Sequence, residues 1–311
     1  MGLSFGRNRA WATFWALCVS GASLGAQTVR IATYNLEGYL DAATETRFIK
    51  PTESRAKVRD CILTIKPDVI ALQEMGRVSA LHELREALKL GGLDLPYWEH
   101  LAGPDTNIHI AVLSKFPFTA VRPHTNDQFL LSGRRFRVSR GFAEVDIRVS
   151  PKYTFTLMAA HLKSRRGVFQ ADESELRLEE AKLLREKIDA RLAAEPELNL
   201  AVVGDFNDTP NSPAIKTVIG RGKRKLTDTR PAERNGNAAP LATAAAREAR
   251  DVAWTHYYAK DDTYSRIDYL LLSPGMTREW RGNESFVLAL PDWGLASDHR
   301  PIVATFDAVE K

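Results

Sequence analysis

Cysteine is almost absent from this chain, which has 311 residues and two cysteines, Cys18 and Cys61. Cys18 lies in an N-terminal apolar segment that we expect to be removed, so the mature chain would keep Cys61 alone. A single cysteine cannot form an intramolecular disulfide, and a disulfide framework is therefore excluded. Cys61 falls in an amphipathic helix pattern, which favours a small buried residue over a nucleophile. Core packing must hold the fold together.

Long hydrophobic runs are also scarce. The longest spans residues 10–24, directly after Arg7 and Arg9 and before the small residues Gly25 and Ala26. This order is typical of a secretory signal peptide, with cleavage expected after Ala26. A membrane anchor is the alternative interpretation, but the run is shorter than the roughly 20 residues that a spanning helix needs.

We therefore expect residues 1–26 to be a signal peptide and residues 27–311 to form one domain, because no Gly/Ser/Pro-rich linker divides them. The residues before Cys18 lack the small side chain that precedes a lipidated cysteine, so we expect no stable membrane anchor. The protein is predicted to be secreted or periplasmic, and to be a monomer.

Charge of neither sign dominates. The chain has 43 Lys and Arg against 39 Asp and Glu, a formal net charge of +4. Removal of Arg7 and Arg9 with the signal peptide would halve that charge. The overall charge therefore neither requires nor excludes a nucleic-acid partner.

Apolar periodicity predicts a mixture of helices and strands. Strands are expected at 28–36, 68–74, 108–113, 142–149, 153–161, 199–203, 267–272, 286–290 and 301–306, and helices at 51–66, 81–90, after Asp172 and at 212–219. Residues 220–250 are expected to be a long surface loop. Alternating and continuous apolar strands occur together, so the sheets should be mixed rather than purely parallel.

Polar residues cluster where the predicted strands end. The strand 199–203 runs into Gly204, Asp205 and Asn207. Alone, this segment is equally typical of an Asx turn without a chemical role. Other predicted strands end in the same kinds of residue: Asn35, Gln73-Glu74, His161 with Lys163, Asp268, and Asp298-His299. Crowded carboxylates repel each other unless a cation or a proton lies among them.

Oxygen donors without a Cys or His pair at zinc spacing favour a hard cation, Mg²⁺, with Mn²⁺ or Ca²⁺ as alternatives. Two histidines beside such a cation suit a phosphate ester. The cation would offset charge on the phosphoryl oxygens, a carboxylate would take a proton from water, and an imidazole would bind or protonate an oxygen.

Six motifs, in order, carry a family resemblance: Thr33-Tyr34-Asn35-Leu36, Ile70-Ala71-Leu72-Gln73-Glu74, His161-Leu162-Lys163-Ser164, Gly204-Asp205-Phe206-Asn207-Asp208, Arg266-Ile267-Asp268-Tyr269 and Ser297-Asp298-His299-Arg300-Pro301. The resemblance that they carry covers about residues 29–306. The chain resembles the endonuclease/exonuclease/phosphatase superfamily, which includes deoxyribonucleases, abasic-site endonucleases, neutral sphingomyelinases and inositol-polyphosphate 5-phosphatases. The resemblance implies an α/β (α+β) four-layer sandwich of two facing mixed β-sheets flanked by helices, with the site at one rim.

The resemblance also implies a metal site. Carried onto this sequence, it identifies Glu74 as the principal ligand, with Asn35 and Asp298 close to it. Asp298 could also be a simple turn residue before Pro301.

The remaining motif residues correspond to catalytic groups of the family. Asp205 is expected to orient or deprotonate the attacking water, and Asn207 to hold phosphate. His161 and His299 resemble phosphate-contacting imidazoles, and Asp268 the carboxylate that orients His299. Whether Asp205 or His299 takes the proton is left open.

Lys163 and Arg140 are the candidate substrate-binding residues. A cationic loop at 134–137 could also contact a phosphate backbone, although solvated basic loops are common. The abasic-site enzymes place a tyrosine on phosphate in mid-chain. No tyrosine aligns here, and Arg140 is the candidate replacement, which puts abasic specificity in doubt.

These features predict a secreted divalent-metal-dependent phosphodiesterase, most simply a nuclease. A sphingomyelinase-like or small-ester phosphatase is the alternative, made less favourable because the sequence shows no evident exposed aromatic hairpin for a membrane. A non-catalytic binding protein would have lost one of the polar positions, and none is missing.

Overall fold

The computed structural model describes residues 1–2, 27–233 and 252–310. The predicted signal peptide, with its cleavage point after Ala26, and much of the predicted loop at 220–250 lie outside the described residues. The structure therefore does not test the predictions for these residues.

Five α-helices are found in the described residues: α1 Thr52–Ile65, α2 Val78–Leu90, α3 Glu173–Ala194, α4 Pro213–Ile219 and α5 Pro274–Thr277. The strands are β1 Gln27–Tyr39, β2 Val69–Met75, β3 Tyr97–Leu101, β4 His109–Ser114, β5 Phe118–His124, β6 Gln128–Leu131, β7 Arg134–Arg137, β8 Phe142–Ser150, β9 Tyr153–His161, β10 Leu200–Asp205, β11 Thr227–Asp228, β12 Ala232–Glu233, β13 His256–Tyr258, β14 Thr263–Ser265, β15 Asp268–Leu272, β16 Trp280–Val287 and β17 Ile302–Ala308.

Most of these strands form two large sheets. Within the described residues, one sheet has seven strands in the order β12-β16-β17-β1-β2-β4-β3, and the other has six in the order β11-β15-β10-β9-β8-β5. Each sheet joins parallel and antiparallel neighbours: β1 is parallel to β2 and antiparallel to β17, and β10 is parallel to β9 and antiparallel to β15. The prediction of mixed sheets is confirmed.

The two sheets face each other with helices outside, because the central strands are apolar on both faces. Ile31 of β1 and Val203 of β10 point into the core between the sheets. The next residue along β1, Ala32, instead packs with α1 and α2, and Val202 packs with α3 and α4. Successive side chains of a strand point to opposite faces, so the alternation produces four layers. The predicted four-layer sandwich is confirmed.

The predicted helices and strands agree best with the observed ones where the residues of the element are buried. Asp172 caps α3 by accepting hydrogen bonds from the backbone of Ser174 and Glu175, as its spacing predicts. The edge strands β3 and β5 were not predicted, since few of their residues are buried and β5 contains Pro123.

Two hairpins outside the large sheets also escaped prediction. The cationic segment 134–137 is strand β7, which pairs with β6 rather than forming a loop. Phe129 and Phe136 stack across this hairpin with ring centroids 5.8 Å apart, and Leu130 is exposed. Both aromatic rings of this hairpin are half-buried. The second hairpin pairs β13 with β14.

Gly204 is required where β10 meets the site. Its φ is +134°, and an added Cβ would lie 1.9 Å from the carbonyl oxygen of Ala160 on the neighbouring strand. We expect Gly204→Ala to lower the free energy of unfolding by about 3 kcal/mol or more, because backbone strain and a clash with main chain add together. Urea unfolding measures the loss.

The matched control is Gly167→Ala, since no heavy atom lies within 4 Å of the Cβ that would be added there. It should change stability by no more than about 0.5 kcal/mol. A loss below about 1 kcal/mol for Gly204→Ala would show that β9 and β10 separate easily, contrary to the geometry.

In the parts of the chain that the structure describes, no helix is both long and apolar enough to cross a membrane.

Candidate active site

Period-two alternation places the polar strand ends together at one rim of the core between the sheets. Asp205 ends β10, paired in register with His161 on β9 and with Asp268 on β15. All three continue the inward-facing rows of their strands. Asn35 continues the inward row of β1 on the opposite sheet, and its Nδ2 donates to Asp205 Oδ2 over 2.9 Å. The side chains of both sheets therefore meet here.

Asp205 lies at the centre of this group. Its side chain accepts hydrogen bonds from Asn35 and from the backbone N–H of Asn207 at 2.8 Å, and it is 1% exposed. Burial raises the pKa of Asp205 to about 6; the neighbouring Asp268 charge acts in the same direction, and the His299 charge opposes it. A carboxylate with such a pKa is well matched to proton transfer near neutral pH.

His299 is held by Asp268. Its Nδ1 lies 2.8 Å from Asp268 Oδ2, and its Nε2 lies 3.7 Å from Asp205 Oδ2. Burial acts to lower the pKa of His299, but the charges of Asp268 and Asp205 outweigh it, so the pKa lies well above 6.5. The two carboxylates therefore favour the charged form of the ring. Ser297 fixes its place by accepting the His299 N–H and donating to the Asn35 carbonyl.

His161 has the opposite character. Its Nε2 lies 3.4 Å from Asp205 Oδ2, and the ring is buried. Burial, followed by the positive charges of Arg140 and His299, lowers the pKa of His161 well below 6.5. The surroundings therefore shift the pKa values of the two imidazoles in opposite directions. Pairs of this kind are a mark of acid–base sites.

Asn207 turns the chain back over Asp205. Its φ is +55°, a left-handed conformation that asparagine tolerates. Its Nδ2 donates to the Leu162 carbonyl at 3.0 Å and lies 3.3 Å from Asp205 Oδ2. The side chain links the β9 and β10 ends.

Glu74 lies on the neighbouring strand of the other sheet. A left-handed φ of +58° interrupts the alternation of β2 at this residue. The carboxylate forms an ion pair of 2.7 Å with Arg47 and is 16% exposed. Glu37 and Lys50, themselves 3.8 Å apart, lie within electrostatic reach of it.

Asp298 is placed beside this acidic group. Its backbone N–H donates to Glu37 Oε2, and its carboxylate lies 3.6 Å from His256 Nε2 and 3.8 Å from His299 Nε2. Of the predicted metal ligands, Asn35 therefore contacts Asp205, Glu74 contacts Arg47, and Asp298 contacts two imidazoles.

The residues fit a hard cation. Glu74, Asn35 and Asp298 offer oxygen donors, the kind that Mg²⁺ and Ca²⁺ take. Cationic side chains already lie among these carboxylates, with Arg47 on Glu74 and Lys50 beside Glu37. These contacts show that the carboxylates of the rim take positively charged partners.

The two predicted substrate-binding residues differ in what they can do. The Lys163 ammonium donates to the carbonyls of Ser164 and Arg166, and the side chain is half-buried. Arg140 is buried, donates to the Leu162 carbonyl at 3.1 Å and lies 3.5 Å from Asp105. Arg140 is therefore not a surface residue, and its charge helps to lower the pKa of His161.

Sequence reasoning missed Arg47, Glu37 and His256. Glu37 follows Asn35 by two residues, a spacing that could have been noticed. Arg47 lies in an irregular segment with no periodicity. His256 lies in an aromatic-rich run that carries no metal-binding or catalytic motif. Its position opposite His299 follows from the β13–β14 hairpin.

Comparison with known families agrees with this geometry. A profile described as the Endonuclease/Exonuclease/phosphatase family matches residues 32–299. The chain belongs to this family, a class of metal-dependent enzymes that hydrolyse phosphate esters. Comparison with curated protein sequences gives no match.

Solved structures share the fold. The human Nocturnin catalytic domain with bound sulfate has a TM-score of 0.60 at 16% identity, over 91% of this chain and 95% of that one. Sphingomyelinase C from Streptomyces griseocarneus gives 0.58 at 18% identity, covering 90% and 99%. The 3′ phosphatase NExo from Neisseria, bound to a product DNA hairpin, gives 0.57 at 16% identity, covering 90% and 99%.

Proposed function

We propose that this protein is an exported phosphodiesterase that cleaves nucleic acid with the help of Mg²⁺, with Mn²⁺ or Ca²⁺ as alternative cations. The observation that carries the proposal is the convergence of the His161 and His299 rings on one oxygen, Asp205 Oδ2, with both Nε2 atoms within 3.7 Å of it. Family membership supplies the reaction class, hydrolysis of phosphate esters.

In the proposed mechanism, Glu74, Asn35 and Asp298 would hold the cation, which would offset negative charge on the phosphoryl oxygens. Asp205 accepts the proton of the attacking water, since its pKa of about 6 leaves it ionised at neutral pH. His299 cannot take that proton while it is itself charged. This argument favours Asp205 as the base, a choice that the sequence leaves open.

The other polar residues bind and orient. His299, charged and held by Asp268, donates from Nε2 to a phosphate oxygen or to the leaving group. His161 and Asn207 contact phosphate from the opposite side. Lys163 and the Arg residues of β7 are proposed to hold the nucleic-acid backbone further along the strand.

The test is cleavage of single-stranded DNA, double-stranded DNA and RNA by the purified protein in Mg²⁺, Mn²⁺ or Ca²⁺. We expect hydrolysis of at least one substrate, abolished by EDTA and restored by added cation. An identically purified Asp205→Asn protein controls for contaminating nuclease. Absence of cleavage with every cation would reject the nuclease proposal.

A second candidate, hydrolysis of a membrane phosphodiester such as sphingomyelin, is favoured by the β6–β7 hairpin. Leu130 is 68% exposed beside the Phe129–Phe136 stack, and Arg134, Arg135 and Arg137 lie on the same hairpin. Release of phosphocholine from sphingomyelin liposomes, without cleavage of DNA or RNA, would favour this candidate over the nuclease.

Export and a monomeric state are part of the proposal. Export rests on the signal-peptide pattern of residues 1–26, and the monomeric state is carried over from the sequence prediction. The exported protein should begin at Gln27, which N-terminal sequencing would detect.

A further inference from the structure

A third imidazole, that of His256, lies beside the proposed active site. The ring centroids of His256 and His299 are 4.6 Å apart. The two residues form an antiparallel bridge, and the adjacent Tyr257 N–H donates to the Asp298 carbonyl over 2.9 Å. The main chain, rather than flexible side chains, therefore fixes the spacing of the two rings.

Both rings have Nδ1 beside an oxygen acceptor. Nδ1 of His299 lies 2.8 Å from Asp268 Oδ2, and Nδ1 of His256 lies 3.5 Å from Ser265 Oγ. A neutral imidazole with its hydrogen on Nδ1 has its lone pair on Nε2, so His299 would release its Nε2 proton when a metal binds there. Histidines that bind metals usually hold their other ring nitrogen on an oxygen in this way.

The two Nε2 atoms face one carboxylate. Asp298 places Oδ2 at 3.6 Å from His256 Nε2 and Oδ1 at 3.8 Å from His299 Nε2. One donor atom from each of these three residues lies within 4.8 Å of the others. The Asp298 side chain is 38% exposed and that of His256 is 16% exposed, so solution can reach the group.

The donor types select the cation. Two imidazole nitrogens and one carboxylate form a common ligand set for Zn²⁺ and for other first-row transition metals. Mg²⁺ and Ca²⁺ prefer sites built from oxygen alone. The two histidines are 43 positions apart in the chain, so they do not match the short spacing of a zinc-binding sequence motif.

We propose that His256, Asp298 and His299 form a second cation site, selective for Zn²⁺ and related transition metals over Mg²⁺. This site shares Asp298 with the predicted Mg²⁺ site and engages the Nε2 of His299. Bound Zn²⁺ would therefore take both side chains from the phosphate and inhibit hydrolysis. The inhibition rests on the proposed function, whereas the binding does not.

The test is isothermal titration of the full-length protein with Zn²⁺ in the presence of excess Mg²⁺. We expect one Zn²⁺ per chain. His256→Ala should weaken binding by about 100-fold, at least the loss that removal of an outer-shell partner causes. His256→Phe keeps a flat ring against His299 and should weaken binding equally, which separates loss of the ligand from loss of packing.

Two controls locate the cation. His82→Ala removes an exposed histidine on α2 and should bind Zn²⁺ as the unmodified protein does. Glu74→Ala removes the predicted Mg²⁺ ligand and should also retain Zn²⁺ binding. Either no Zn²⁺ binding by the unmodified protein, or unchanged binding by both His256 variants, would overturn the proposal. Loss of binding in Glu74→Ala alone would overturn it too.

The binding result stands apart from the hydrolysis assays. Zn²⁺ binding with the expected variant pattern in a protein that cleaves no phosphodiester would support the cation site and reject the proposed function. Cleavage of a phosphodiester by a protein that does not bind Zn²⁺ would support the proposed function and reject the cation site.

Discussion

Asp205→Asn is expected to lower kcat by about three to four orders of magnitude, with a much smaller change in KM. The amide cannot accept a proton from water, and the substitution removes a negative charge that, after that of Asp268, raises the pKa of His299. Asp205 is also the contact shared by Asn35, His161 and His299. One substitution therefore disturbs both the base and the cationic imidazole.

Steady-state kinetics on the cleaved substrate measure this loss. Asp94→Asn, an exposed aspartate paired only loosely with Lys89 at 3.7 Å, is the matched control and should keep the original rate. Circular dichroism should show that both variants are folded. Retention of more than about a tenth of kcat by Asp205→Asn would remove Asp205 from the role of base.

Glu74→Ala is expected to lower kcat by several orders of magnitude, because charge stabilisation by a bound cation supplies several kcal/mol to the transition state. The concentration of Mg²⁺ needed for half-maximal activity should rise as well. The substitution also leaves Arg47 without its 2.7 Å partner, close to the remaining carboxylates.

Two further variants separate these effects. Glu74→Gln keeps an oxygen donor without the charge and should fall between the unmodified protein and Glu74→Ala. Glu86→Ala removes an exposed glutamate of α2 and should change nothing. Equal rates for Glu74→Ala and the unmodified protein at all Mg²⁺ concentrations would refute a cation-centred mechanism.

The sequence could predict much of the centre of the site because strands alternate. Once a strand is known to be apolar on both faces, the residue that ends it continues one of two rows. Asn35, His161, Asp205 and Asp268 all continue the rows that face the opposite sheet, and the structure brings them together. Local pattern was sufficient for these residues.

The rest of the site depends on contacts that no local pattern carries. Glu74 would point away from the core if the alternation of β2 continued, and a left-handed backbone changes its direction. His256 meets His299 because a short hairpin folds across the rim. Arg47 reaches Glu74 from an irregular segment. These placements follow from tertiary packing, which a single sequence does not display.

The surface hairpin β6–β7 is another element that the local sequence pattern did not predict. Its three arginines suggested a solvated loop, yet Phe129 and Phe136 stack across two paired strands. Cross-strand aromatic pairs stabilise such ribbons, and the partner strand Gln128–Leu131 is too short to show a clear period.

The central claim, that residues from both sheets act as one catalytic unit, is tested most directly by a double-mutant cycle on kcat with Asp205→Asn and His299→Gln. When two residues act as a unit, replacing either one already removes most of the rate that both together provide, and replacing the second costs little more. We predict that the double variant is hardly slower than the slower single variant. Losses that multiply, or a His299→Gln protein with the original rate, would contradict the account.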